Sequence, residues 1–217
     1  DTLFGGNGND TMKAGPVDDP ETGDVDKLYG GEGNDHLHGS EDFGYADCAG
    51  HPRWYEPTEW LGGQRAQRFP LHLLANQPAT RLHSQLDGGA TSQSSKVQGR
   101  EPIRMHPADA ARRGLAGGEV VRVFNDRGAC LAGLVVDERL RPSVVQLSTG
   151  AWYDPVDPTD PDSLCAHGNP NVLTDDVGTS ALARGCTGAH VLVQVERFDG
   201  QLPPVRAHEP PVTVAGP

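Results

Sequence analysis

Residues 118–137, GEVVRVFNDRGACLAGLVVD, constrain the fold of this chain more than any other stretch. Val120, Val121, Val123 and Phe124 form a β-branched and aromatic run, NDRG (125–128) reads as a tight turn, and Leu131, Leu134, Val135 and Val136 carry the returning strand. Further strand-like runs stand at 69–76 (FPLHLLAN), 143–149 (SVVQLST) and 189–198 (AHVLVQVERF). One helical signature occurs in HPADAARRGL (106–115), where a proline suits the first turn and Gly114 the stop. Gly (28) and Pro (18) exceed a fifth of the 217 residues, which favours short strands and turns over helices. Several short strands with one short helix point to a closed barrel rather than a doubly wound sheet. Residues 86–99 (LDGGATSQSSKVQG) read as an exposed polar loop, and 199–217 as a Pro-rich tail.

The N-terminal segment obeys a different rule. GGNGNDTMK (5–13) and GGEGNDHLH (30–38) both fit the nonapeptide G-G-x-G-x-D-x-U-x, with U a large apolar residue. In such a β-roll the glycines permit a tight turn, the aspartate offers a hard oxygen to Ca²⁺, and the residue at U packs inside. The candidate calcium ligands are Gly5, Gly6, Gly8 and Asp10 in one repeat, and Gly30, Gly31, Gly33 and Asp35 in the other. Both stretches resemble the haemolysin-type (RTX) calcium repeats. Asp10 and Asp26 are sixteen residues apart, not the eighteen of two periods, so AGPVDDPETGDV is expected to interrupt the stacking. His36 and His38 occupy variable slots of the repeat and read as surface side chains.

The net charge of −12 is unevenly spread. Residues 1–42 hold eleven acids (Asp1, Asp10, Asp18, Asp19, Glu21, Asp24, Asp26, Glu32, Asp35, Glu41, Asp42) against Lys13 and Lys27, a balance of −9 that leaves −3 for the rest. Neither part has the basic surface that nucleic acid or an anionic membrane requires. No apolar run approaches the ~20 residues of a membrane span. The four cysteines, Cys48, Cys130, Cys165 and Cys186, lie far apart without a C-x-x-C, a spacing unsuited to zinc or iron–sulfur ligation. The chain opens without Met and inside a repeat, DTLF being the tail of a nonapeptide, so it reads as a fragment.

Four loops lie between the strands: RLHSQ (81–85), GAWYDP (150–155), HGNPNVLT (167–174) and GTSALARG (178–185). Most mix glycine with amide, hydroxyl or aromatic side chains, a composition suited to a flat polar ligand held by backbone N–H groups and amides. Taken together and in order, FGYADCAGHPRWYEPTEWLG, FPLHLLANQPATRLHSQLD, EPIRMHPADAARRGLAGGEVVRVFNDRGACLAGLVV, GAWYDP and HGNPNVLTDDVGTSALARG resemble the C-terminal part of the dimethyl sulfoxide / trimethylamine N-oxide / biotin sulfoxide reductase family, from about Phe43 to Phe198.

The resemblance implies a mainly β fold. It comprises a repeat segment (1–42), a connecting segment (43–65), a six-stranded double-psi β-barrel with short helices (66–198) and the tail (199–217). That barrel would bind molybdopterin guanine dinucleotide and, through it, molybdenum, with His83, Ser84 and Gln85 against the pterin. Asn169, Asn171, Thr179 and Ser180 would supply further polar contacts. A pterin edge alternates donors and acceptors, which Asn, Gln and Ser match without charge. The family runs LAQG followed by Asn after GTS, where this chain has Arg184 and Cys186. Arg184 keeps donors at that contact but loses an acceptor. In the family the metal-coordinating serine and the substrate funnel lie in preceding domains, so this segment would hold one side of the cofactor and would not turn over alone. Two rival readings are a secreted calcium-binding repeat protein and a chimeric reading frame joined near HGSEDFGYADC. Compartment stays open between cytoplasm, periplasm and export.

Overall fold

Successive side chains of a strand point to opposite faces, so an apolar residue at every second position builds a one-sided core. The computed structural model describes residues 2–13, 27–34, 36–38, 45–47, 54–182, 185 and 191–210. They fall into two units, one formed by 1–56 with 177–186 and the other by 57–176 with 187–217.

In the first unit strands β1 (Thr2–Asn7), β2 (Thr11–Lys13), β3 (Lys27–Glu32) and β4 (His36–His38) pair in parallel, β1 with β3 and β2 with β4. The register puts Gly6 opposite Gly31 and Thr11 opposite His36. Between the strands Gly8 N–H donates to the Glu32 carbonyl at 2.8 Å, and Asn34 N–H to Asn9 Oδ1 at 2.9 Å, across 25 residues. The two nonapeptides therefore stack in register, correcting the expectation that the sixteen-residue step interrupts them. Only whole-repeat alignment is needed for pairing, and the 25-residue offset supplies it. Gly31 (φ 92°) and Gly33 (φ 139°) are obligatory at this contact, because a Cβ on either would overlap the carbonyl of Gly6 or Gly8. Met12, the apolar residue of its repeat, is buried, and Phe4 stacks on Tyr29 at 4.9 Å.

The second unit is built on a closed barrel of six strands. These are β5 (Leu71–Leu74), β6 (Pro102–Met105), β7 (Val120–Phe124), β8 (Ala129–Val136), β9 (Val144–Leu147) and β10 (Val191–Arg197), in the order β10-β5-β9-β6-β8-β7. Pairs β5–β9 and β6–β8 are parallel and the other four antiparallel. Closure removes exposed strand edges. The alternating pairs Leu71/Leu73, Ile103/Met105, Val121/Val123, Val145/Leu147 and Val193/Val195 fill one core. Each such side chain contributes roughly 1.5–3 kcal/mol.

The 118–137 hairpin forms as expected, with Asn125 N–H bonded to the Gly128 carbonyl across the turn. Helix α1 spans Ala90–Gln93 and α2 spans Pro107–Arg112; His106 caps α2 by accepting Ala108 N–H at 3.1 Å. Strand β6 is an addition to the sequence reading, since PIRM alternates buried Ile103 and Met105 with half-buried Pro102 and Arg104.

The largest correction concerns residues 86–99, expected to be an exposed polar loop. Leu86 and Gly88 are exposed, but Asp87 and Ser92 are buried, and the Lys96 side chain is 1 % exposed. Their polarity survives burial because opposite charges meet there. Lys96 Nζ lies 2.7 Å from Asp87 Oδ1 and 2.5 Å from Glu101 Oε2, and Arg81 Nη1 lies 3.2 Å from Glu101 Oε2. The Pro-rich tail is also anchored over its described part: Arg100 Nη2 donates to the Pro203 carbonyl, and Arg206 N–H to Asp154 Oδ2, both at 2.6 Å.

Candidate cofactor site

Three of the loops meet around one cleft of about 380 Å³, lined by His83, Ser84, Thr149, Gly150, Ala151, Trp152, Tyr153, Asn169 and Asn171. His83 sits at φ 51°, an uncommon conformation for a non-glycine residue. Neighbours hold it there: Gln77 Oε1 accepts His83 N–H at 3.3 Å, Gln77 Nε2 meets His83 Nδ1 at 2.8 Å, and Arg81 Nε donates to the His83 carbonyl at 3.1 Å. Trp152 Nε1 donates to the Ser84 carbonyl at 2.8 Å, joining the 81–85 loop to the 150–155 loop. Gly150 (φ 89°) lies so close to the His83 carbonyl that any Cβ would overlap it. Asn169 caps the short 3-10 turn Pro170–Leu173 by accepting Asn171 N–H at 2.8 Å, leaving the Asn171 side chain exposed at the cleft.

The buried charges of 81–101 brace this cleft from within. Arg81 Nη2 donates to the Thr149 carbonyl at 2.8 Å, and Asp87 Oδ2 accepts Trp152 N–H at 3.1 Å. His167 Nδ1–H donates to the Trp152 carbonyl at 3.1 Å. Burial, aided by the Lys96 ammonium, holds His167 down at about 4, so its imidazole is neutral at pH 7. Burial alone would raise the Asp87 carboxyl, but its hydrogen bond and charge pairing with Lys96, and the Trp152 N–H, bring it below the usual carboxylate range. The cleft wall therefore rests on a fixed carboxylate and a neutral imidazole.

Of the residues expected to touch a cofactor, His83, Ser84, Asn169 and Asn171 line the cleft together, although up to 88 residues separate them in sequence. Gln85 is exposed and bridged to Leu82 in the same turn, outside the lining. Thr179 and Ser180 belong to the other unit, where Thr179 Oγ1 accepts Gly185 N–H at 3.1 Å; Arg184 lies outside the described residues. Among the calcium candidates, Gly5, Gly6, Gly30 and Gly31 stand in β1 and β3, Gly8 and Gly33 in the turns that follow, and Asp10 just before β2. Asp35 lies outside the described residues. Sequence reasoning missed Asp87, Lys96, Glu101 and His167, the residues that hold the lining loops. Asp87, Lys96 and Glu101 signalled themselves only as scattered charges in and beside a segment that otherwise looks solvated, and His167 only as the first residue of the HGNPN loop.

The described residues of the second unit thus define a closed six-stranded barrel with a polar, loop-built cleft. The family described as Molydopterin dinucleotide binding domain matches residues 71–191, more than half of the chain, and the chain belongs to that family. The RTX calcium-binding nonapeptide repeat matches residues 1–19 and 22–43. The dimethyl sulfoxide/trimethylamine N-oxide reductase of Rhodobacter capsulatus is 50% identical over 160 residues, 74% of this chain and 19% of the relative. Trimethylamine-N-oxide reductase 1 of Escherichia coli K12 is 48% identical over 161 residues, 73% of this chain and 19% of the relative. The chain thus spans about a fifth of the length of these relatives. Acetylene hydratase from Pelobacter acetylenicus shares the fold, with a TM-score of 0.55 at 18% identity over 68% of this chain and 21% of that one.

Proposed function

We propose that residues 66–198 hold one side of a molybdopterin guanine dinucleotide in an oxidoreductase that reduces S-oxides or N-oxides, with His83, Ser84, Asn169 and Asn171 as the contact residues. The observation that carries this reading is the convergence of those four side chains on a single cleft. The donor set fits the group. The side chains are uncharged amides, a hydroxyl and an imidazole, and Gly150 lets the 150–155 loop close against the His83 carbonyl and so brings these groups together. A cleft of about 380 Å³ suits a pterin-sized portion rather than the whole dinucleotide. Bound, the cofactor would supply the oxygen-atom and electron transfer; this chain's residues would bind and orient it and exclude water. Gln85, in the same loop as His83 and Ser84, extends the proposed contact set. In the same reading the stacked nonapeptides bind Ca²⁺ through Asp10, Asp35 and the glycine carbonyls.

The test replaces the matching C-terminal segment of the Rhodobacter capsulatus reductase with residues 43–198 and measures molybdenum and guanine nucleotide in the purified chimera. Near-stoichiometric cofactor, lowered by Asn171→Ala, supports the assignment. A folded chimera that is empty, or an Asn171→Ala chimera as full as its parent, overturns it.

A further inference from the structure

His208 places an imidazole against the buried charges behind Trp152. Its Nε2 lies 3.7 Å from Asp87 Oδ2, its ring centroid 5.2 Å from that of Trp152, and it meets the His167 ring edge to face at 5.0 Å. His167 Nδ1 is likewise 3.7 Å from Asp87 Oδ2. Among the described residues, Asp87, His167 and His208 are the one trio of such side chains whose donor atoms, one per residue, all lie within 4.8 Å of one another.

Two observations separate this trio from an ordinary buried cluster. His167 is fully buried and its Nε2 has no hydrogen-bond partner; since Nδ1–H is committed to the Trp152 carbonyl, Nε2 carries the lone pair. Both ring nitrogens of His208 are also buried without a partner. Buried polar groups of folded proteins are rarely left unpaired, so two imidazoles with orphan nitrogens, clustered with one buried carboxylate, describe a site built for a ligand.

We propose that Asp87, His167 and His208 bind a divalent transition metal of the zinc class, which staples the C-terminal segment to the Trp152 wall of the cleft. Two imidazoles and a carboxylate suit zinc rather than calcium or magnesium, which prefer all-oxygen shells. Tetrahedral zinc sets its N and O ligands about 3.4 Å apart, and His208 Nε2 stands 3.7 Å from Asp87 Oδ2, a separation that closes with a shift of a few tenths of an ångström.

The neighbouring cations do not preclude the site. Lys96, Arg81 and the Ser92 hydroxyl approach the other oxygen, Oδ1, of Asp87. With Glu101 the four charged groups are formally neutral, so the ion enters a balanced background. Asp87 Oδ2 keeps a second lone pair for the Trp152 N–H, and Trp152 in turn orients His167, the supporting bond that metal-ligating histidines need. The inference stands independently of the cofactor reading.

The experiment uses the full chain carrying His36→Gln and His38→Gln, which silences the imidazoles of the repeats, in calcium-containing buffer. Zinc chloride is titrated calorimetrically, and Co²⁺ is added separately to record visible absorption. One equivalent of zinc is expected to bind, to raise the melting temperature and to slow tryptic cleavage at Arg206. His208→Gln in that background is expected to weaken binding about tenfold or more and to abolish the Co²⁺ absorption. A chain ending at Gly200 serves as a second loss-of-site variant. Absence of binding, or equal binding by the parent and both variants, overturns the proposal.

Discussion

Asp87 Oδ2 accepts the backbone N–H of Trp152 at 3.1 Å across 65 residues of chain, and so joins the buried charges of 81–101 to the wall of the candidate cofactor cleft. Asp87→Asn keeps the shape but leaves Lys96 and Arg81 facing Glu101 alone. Breaking a buried ion cluster by removing one partner costs about 3–5 kcal/mol. Urea denaturation monitored by Trp fluorescence is expected to register that loss. A change below about 1 kcal/mol would mean that the carboxylate does not anchor this wall.

The two asparagines of HGNPN are expected to separate stability from binding. Asn169 caps a 3-10 turn, so Asn169→Ala should cost about 1 kcal/mol whether or not a ligand is present. The exposed Asn171 side chain has no comparable role in the fold, so Asn171→Ala should leave the melting temperature unchanged and act on cofactor retention alone. Equal thermal losses in the two variants would contradict this division.

Much of the barrel was legible because its strands carry their own signal. The Val-rich hairpin at 118–137 and the runs at 69–76, 143–149 and 189–198 each carry apolar residues that enter the core, a property of local sequence. Strand β6 was not legible, since Pro102 and Arg104 break the strand signature and only pairing with β8 and β9 defines it. Asp87 and Lys96 read as solvated because a charge announces burial only when its partner is known, and Arg81, Glu101 and His167 reach them from outside that segment. The same reasoning divides the cleft: His83, Ser84, Asn169 and Asn171 were recognisable from loop composition and family resemblance, whereas the groups that position them were not.

Gly150 tests the close approach of two cleft loops. Its φ of 89° and its contact with the His83 carbonyl leave no room for a Cβ. Gly150→Ala should destabilise the barrel by at least about 1–2 kcal/mol from backbone conformation alone, with the overlap adding to it. Calorimetric melts measure the change, and a neutral substitution would show that this contact is not formed.

Cys130 gives the second unit a defined alkaline limit. Burial, and then the charge of neighbouring Cys165, raise its thiol well above the usual value. The unfolded chain would release that proton near pH 8.5 while the folded chain retains it. The associated stability is therefore complete below about pH 8.5 and declines as pH rises toward the folded value. Melting temperature should fall between about pH 8.5 and 10 in the parent and less steeply in Cys130→Ala. Parallel pH profiles would remove the thiol as the cause. Both Cys130 and Cys165 are buried and free, so alkylation by iodoacetamide at pH 8 should require unfolding.

Calcium should act on the repeats and not on the barrel. Gly31 stacks on Gly6 and Gly33 on Gly8, so neighbouring turns can present carbonyl and carboxylate oxygens to one ion. Two stacked turns form a short array, and solenoid repeats gain stability from each added neighbour. Eleven acids against two lysines in residues 1–42 also repel one another until calcium neutralises them. Affinity is therefore expected at about 10⁻⁴–10⁻³ M, the range of weak extracellular modules. Gly33→Ala would force a Cβ into the Gly8 carbonyl and should abolish the calorimetric heat. The barrel ladder and its core lie entirely within 57–176 and 187–217, so its melting temperature should be the same with calcium, with chelator and in Gly33→Ala. Micromolar affinity, or a barrel that melts early in chelator, would overturn this expectation and make calcium a structural requirement of the whole chain.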